Sequence, residues 1–153
     1  MAKHDKDLEK KITDILSRGY EAHYMLKRVL QDDKLYVNNK DILDVIFIRR
    51  DSYSSSDSET SPAKLLIATN YGIMVLEEGF KEISDNYLGY KLKKIYYHQI
   101  DSFELDICLL EGEFRVFTGS RENITVSFDT SSYYDQFEKF LAIIDDQIVI
   151  RYC

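Results

Sequence analysis

LLIATNYGIMVLEEG, residues 65–79, contains two short apolar runs hinged at Asn70-Tyr71-Gly72. Leu65–Thr69 and Ile73–Glu77 carry the aliphatic and β-branched side chains that suit a pleated, buried surface. Asn70 and Gly72 are residues that tolerate positive φ at a tight turn. The stretch therefore predicts a β-hairpin, and the segments on either side repeat its period.

Upstream, Val45-Ile46-Phe47-Ile48 predicts a short strand. It runs into SYSSSDSETSP, residues 52–62, where Tyr53 is the one apolar side chain available for burial. Such a polar, low-complexity run predicts an exposed spacer loop, although serines beside acids are also acceptable phosphorylation sites. Downstream, a polar connection over 79–89 leads to a strand at Leu92–Tyr97. Phe103, Leu105, Ile107 and Leu109 then alternate with Glu104, Asp106 and Cys108, the period of a strand with one face inward. Glu111-Gly112 reads as the next turn, and Phe114–Thr118 returns antiparallel. After a loop at Gly119–Glu122, Ile124, Val126 and Phe128 alternate with Thr125 and Ser127.

Both ends of the chain change to helical period. Leu8, Ile12, Ile15 and Leu16 form one apolar stripe at i, i+4, i+7 and i+8. Gly19 interrupts it, and Tyr20, Tyr24, Val29 and Leu30 suggest a second helical stretch. At the other end Tyr134, Phe137, Phe140, Leu141 and Ile144 make a strong apolar face, with Ser132 and Asp135 resembling a capping box. The tail QIVIRYC is compatible with an extra strand or a docked terminus. The division predicted is a helical extension over 1–33, a strand-rich domain over 43–147 and a tail over 148–153. Seven short antiparallel strands with one amphipathic helix predict a sheet curled into a barrel, its open end plugged by the aromatic helix face.

Composition narrows the function classes. The chain has 153 residues, 44% hydrophobic and 31% charged, the profile of a globular protein. Residues 1–50 hold 11 basic and 9 acidic residues, a balance of +2, whereas residues 51–153 hold 9 and 18, a balance of −9. That field opposes nonspecific contact with nucleic acid or anionic lipid. No apolar run reaches the roughly 20 residues needed to span a bilayer, and the charged start MAKHDKDLEKK has no apolar segment behind it, unlike a secretory signal. With Cys108 and Cys153 too sparse for a disulfide framework, the expected compartment is the cytoplasm.

The hairpin LLIATNYGIMVLEEG, the segment IYYHQIDSFELD and the ending SFDTSSYYDQFEKFLAII, taken in order over residues 43–145, resemble the bacterial pleckstrin-homology-like domains. The resemblance implies a seven-stranded antiparallel barrel closed by a C-terminal helix, here preceded by the helical extension. It also implies a binding module, for phospholipid, peptide or protein, that often forms homo-oligomers. In lipid-binding members basic residues near the first two strands grip phosphate, which carries over to Arg49, Arg50 and Lys64. The intervening loop holds Asp51, Asp57 and Glu59, which departs from that basic pattern.

The other candidate binding residues are Lys91, Lys93 and Lys94, interleaved with Tyr90, Tyr96 and Tyr97. They suit an acidic peptide or nucleic-acid backbone, but an edge strand shielded by lysine against stray pairing is the favoured reading. The parity of the strand places Lys91 and Lys93 on one face and Lys94 on the other. The stripe Leu8/Ile12/Ile15/Leu16 is a candidate interaction surface, packing either on the barrel or on a sister subunit. His98 has no second ligand at metal-binding spacing, Cys108 reads as a quiet thiol between acids, and Glu77-Glu78 and Asp145-Asp146 read as solvated surface. No nucleophile elbow, phosphate loop or zinc motif is present, so no catalytic residue, metal or cofactor is assigned. The expected function is non-catalytic protein–protein binding, with itself or another protein. A membrane-surface adaptor is the alternative, and a small-ligand carrier or unrecognised enzyme the second.

Overall fold

The structure, a computed structural model, describes residues 2–18, 23–31, 38–49, 62–79, 90–119 and 121–152. Arg50, most of the serine-rich stretch and most of the 79–89 connection lie outside the described residues. The seven strands are β1 (Ile42–Ile48), β2 (Lys64–Thr69), β3 (Gly72–Glu78), β4 (Tyr90–Tyr96), β5 (Ser102–Ile107), β6 (Glu111–Thr118) and β7 (Arg121–Asp129). They form two antiparallel sheets, β1-β2-β3-β4 and β5-β6-β7, rather than one closed barrel. The break has a local cause. Tyr97–Gln99 turns as a 3₁₀ helix, Ile100 N–H donates to the Tyr97 carbonyl at 3.1 Å, and Asp101 N–H donates to the Phe117 carbonyl at 2.9 Å. The chain has thus left β4 and joined β6 before β5 begins.

In the second sheet the sequence alternation sorts side chains directly. Phe103 and Leu105 face the core opposite Val116 and Phe114, and these in turn oppose Ile124 and Val126. The first sheet does not alternate. Burial runs through nearly every position of β1, β2 and β3. One face, including Ile46, Leu66, Ile73 and Ile95, joins the core between the sheets. The opposite face presents Val45, Phe47, Leu65, Ile67, Met74 and Leu76.

That second face is covered by the N-terminal helices. These are α1 (Ala2–Ser17) and α2 (His23–Leu26), the latter running on as a π turn over Lys27–Gln31. Ile15, Met25, Leu26, Val29 and Leu30 are buried against the sheet, with Leu8, Ile12 and Leu16 packed at the margin. The stripe Leu8/Ile12/Ile15/Leu16 therefore lies on the chain's own sheet, the first of the two placements open to it. Its partner is the face that the non-alternating strands leave apolar. Lys11 fixes the contact by donating to Asp44 Oδ1 on β1 at 3.1 Å. Asp44 is buried, and its Oδ2 accepts no hydrogen bond from the described residues.

The closing helix α3 (Thr130–Tyr152) extends beyond the apolar face expected from Tyr134 to Ile144 and absorbs the tail through Tyr152. It packs across both sheets, against β1, β2, β6 and β7. Phe137, Phe140 and Ile144 are fully buried, and the Phe137 ring stacks on Phe128 with centroids 4.1 Å apart. Tyr134, expected on this face, is instead exposed and donates to Glu138 Oε2 at 2.8 Å. Tyr133, one turn before Phe137, takes its place against the core, and its hydroxyl accepts the Arg49 N–H at 3.1 Å. The helix start is also shifted from Ser132. Asp129 caps it, accepting from Ser131 N–H at 3.1 Å and from the Ser131 and Ser132 hydroxyls at 3.0 Å each. The Ser131 and Ser132 bonds hold the Asp129 carboxyl below its ordinary pKa. No helix among the described residues is long and apolar enough to cross a membrane.

Removing Lys11 leaves Asp44 buried beside an apolar neighbour. Lys11→Met should lower unfolding free energy by about 1–3 kcal/mol in urea titration, and Lys11→Met with Asp44→Asn should recover part of it. The cap gives a pH signature of defined sign. Because the folded-state pKa of Asp129 is depressed, its contribution is complete above the ordinary carboxyl range and is lost as pH falls through the depressed value. The Tm gap between wild type and Asp129→Ala should therefore be constant near neutrality and shrink in acid.

Candidate functional site

The opening hairpin builds the first surface feature. Thr69 is buried, and its hydroxyl accepts Tyr71 N–H at 3.2 Å and Gly72 N–H at 3.0 Å, fixing the turn from inside. Tyr97 secures the same turn by donating its hydroxyl to the Thr69 carbonyl at 2.5 Å. Gly72 is needed for close approach rather than for positive φ: a Cβ there would lie 2.3 Å from the Ile95 carbonyl oxygen. This frame displays Tyr71, Tyr96 and His98 side by side. The Tyr71 and Tyr96 ring centroids are 5.9 Å apart, and His98 stacks beyond Tyr96 at 6.1 Å. Lys94 Nζ lies 5.0 Å from the Tyr71 centroid and 5.9 Å from that of Tyr96, a cation–π pairing that gives the platform its positive charge.

The predicted basic residues divide between two places. Lys94 belongs to this platform, on the face that Met74 shares. Lys91 and Lys93 oppose Glu77 and Val75, and Lys64 opposes Glu77 from the other side. Lys64 and Lys91 thus share one end of the first sheet with Arg49, Glu77 stands between them, and Lys93 lies at the middle of β4. The strand parity read from the sequence places these side chains correctly. Arg50 lies outside the described residues. Tyr97, grouped by sequence with the surface aromatics, is instead wholly buried.

The outer face of the second sheet has the opposite sign. Glu104 and Asp106 on β5 and Glu113 on β6 surround Arg115, which pairs with Glu113 and lies 3.6 Å from Asp106 and 3.9 Å from Glu104. One guanidinium among these carboxylates leaves the face acidic.

At the far end of β5 the chain turns through Leu109-Leu110. Cys108 N–H donates to the Glu111 carbonyl at 2.9 Å to close the hairpin. Thr130, the first residue of α3, anchors it by donating its hydroxyl to the Cys108 carbonyl at 3.1 Å and its N–H to the Leu110 carbonyl at 3.3 Å. Leu109 is 91% exposed and Leu110 75%, with Ile107 at 39% beside them. Cys108 is a free, exposed thiol in this turn rather than a residue on a sheet face.

Sequence reasoning missed this tip because it counted Leu109 among the inward residues and placed the turn at Glu111-Gly112. Gly112 lies within β6, where a Cβ would come 2.5 Å from Cζ of Phe128, so the glycine serves packing. A usable signal existed. Pairing the inward residues Phe103 with Val116 and Leu105 with Phe114 gives one shared midpoint, between residues 109 and 110.

The two readings of this hairpin separate by mutation. Gly112→Ala should destabilise by about 1–3 kcal/mol through collision with Phe128. Leu109→Ser should stay within about 0.5 kcal/mol of wild type, as an exposed turn position does. Urea unfolding of both variants is the check. No protein-family model matches the chain, and no curated protein or solved structure matches it significantly.

Proposed function

We propose that the chain is a non-catalytic binding module that works by protein–protein contact, with further copies of itself or with another protein. We also infer a scaffold resembling the bacterial pleckstrin-homology-like domains. The order of four strands, three strands and one helix laid across both sheets supports that scaffold.

One observation carries the contact reading: where the available chemistry stands. Tyr97, Phe114, Phe128, Phe137 and Phe140 fill the space between the sheets. Among the described residues, the most exposed large hydrophobic side chains are Leu109 and Leu110, at an anchored tip. Apolar side chains displayed on a rigid protrusion suit a protein surface of complementary shape. Phospholipid contact is the second reading, favoured by Arg49, Lys64 and Lys91 at one end of the first sheet, with Lys93 farther along β4. Glu77 in their midst and the −9 balance of residues 51–153 oppose it.

Sedimentation of the full chain across micromolar to millimolar concentrations, with vesicle flotation at low salt, tests the order of these readings. A mass that rises with concentration, without flotation on anionic vesicles, is the expected result. Flotation of a strictly monomeric protein would favour the lipid reading.

A further inference from the structure

We propose that the Leu109–Leu110 tip of one copy docks on the Tyr71–Tyr96–His98 platform of a second copy, with Lys94 set against the acids beside the tip. The proposal rests on the protein-contact reading above and names its surface.

Both halves are held in place before they meet. The tip is closed by the Cys108–Glu111 bond and tied to Thr130, and the platform is fixed through Thr69 and Tyr97. Little ordering is then required on association, which favours contact between small patches. Their chemistry is complementary. The tip is aliphatic and flanked by Asp106 and Glu111, both exposed. The platform is aromatic, with Tyr96 40% exposed, and carries the Lys94 ammonium over its rings. Leucine side chains pack well on aromatic faces, and the flanking charges then meet with opposite sign.

Geometry selects a second copy in head-to-tail order. The platform lies just before β5 and the tip just after it, so a six-residue strand of roughly 20 Å keeps the tip from reaching its own platform. Tip against tip would set Asp106 and Glu111 against their own copies, and platform against platform would oppose two Lys94. The favoured contact is therefore heterologous, and it propagates unless one half is removed. The patches involve few side chains, so the contact is weak and depends on concentration.

The experiment uses full-length protein and sedimentation equilibrium. The tip variant is Leu109→Ser with Leu110→Ser, and the platform variant is Lys94→Glu with Tyr96→Ser. Circular dichroism establishes that each is folded. Wild type should exceed dimer mass at high concentration, and each variant alone should associate at least about tenfold more weakly, as loss of a central contact does. Mixed in equal amounts, the two should form a dimer and stop there, because each retains one intact half. If the platform variant fails to fold, Lys94→Glu alone should weaken association and Glu111→Lys added to it should restore it. Association of wild type that both variants retain would overturn the proposal and leave the protein-contact reading standing on another surface. A wild type monomeric throughout would overturn the second copy as occupant, leaving a different protein as partner. Flotation of wild type on zwitterionic vesicles, lost in the tip variant, would reassign the tip to lipid.

Discussion

The four-stranded sheet is apolar on both faces, and the rest of the fold follows from covering it. A sheet with one wet face needs a single cover, and alternating residues supply it. Here β1, β2 and β3 bury nearly every side chain, so two covers are required. The second sheet and α3 cover one face, and α1 with α2 cover the other. The outer set of Val45, Phe47, Leu65, Ile67, Met74 and Leu76 is substantial. At roughly 1.5–3 kcal/mol for each fully buried side chain, it amounts to gross stabilisation of the same order as a domain's whole net stability. The N-terminal helices are thus part of the folded unit. Lys11 on Asp44 then fixes where α1 sits, a specificity that apolar contact alone does not provide.

With both faces of that sheet covered and the intersheet space filled by aromatic and aliphatic side chains, polar and charged chemistry is pushed to turns, strand ends and the outer face of the second sheet. Two of those turns are held unusually well for surface features. Thr69 ties the β2–β3 turn from beneath, and Thr130 ties the β5–β6 turn from the start of α3. In each case a short hydroxyl side chain satisfies backbone groups that would otherwise rely on water. The cost of ordering these loops is met in folding, before any partner arrives.

The parts legible in the sequence were those governed by strict period. The strands of the second sheet, the closing helix and the faces of Lys91, Lys93 and Lys94 follow from alternation or from the 3.6-residue repeat, while β1, β2 and β3 show only as short aliphatic and β-branched runs. What escaped depended on relations between strands. The lack of alternation in VIFI and LLIAT already implied two buried faces, and with them an internal seat for the stripe Leu8/Ile12/Ile15/Leu16. Counting each strand singly hid that implication. Gly72 and Gly112 read as turn residues, yet each is set by a neighbour across the sheet, the Ile95 carbonyl and the Phe128 ring. The Leu109–Leu110 tip emerges only when β5 and β6 are placed in register. Tyr133 and Tyr134 are adjacent in sequence, and only the packing of α3 on both sheets distinguishes the buried one from the exposed one.

In the proposed head-to-tail contact, the opposite signs of the two ends of β5 divide the work. Surface charges such as the half-buried Lys94 and the exposed Asp106 and Glu111 act over a Debye length, so they orient approaching copies and penalise the wrong pairings. The leucines act only once water has left the patch, so they govern how long an encounter lasts. A tip of two leucines is too small to hold a permanent dimer, and an acidic chain repels itself at every other approach. Association by this route is therefore selective before it is strong. Its extent is set by how densely the copies are held together, whether by concentration or by a shared attachment.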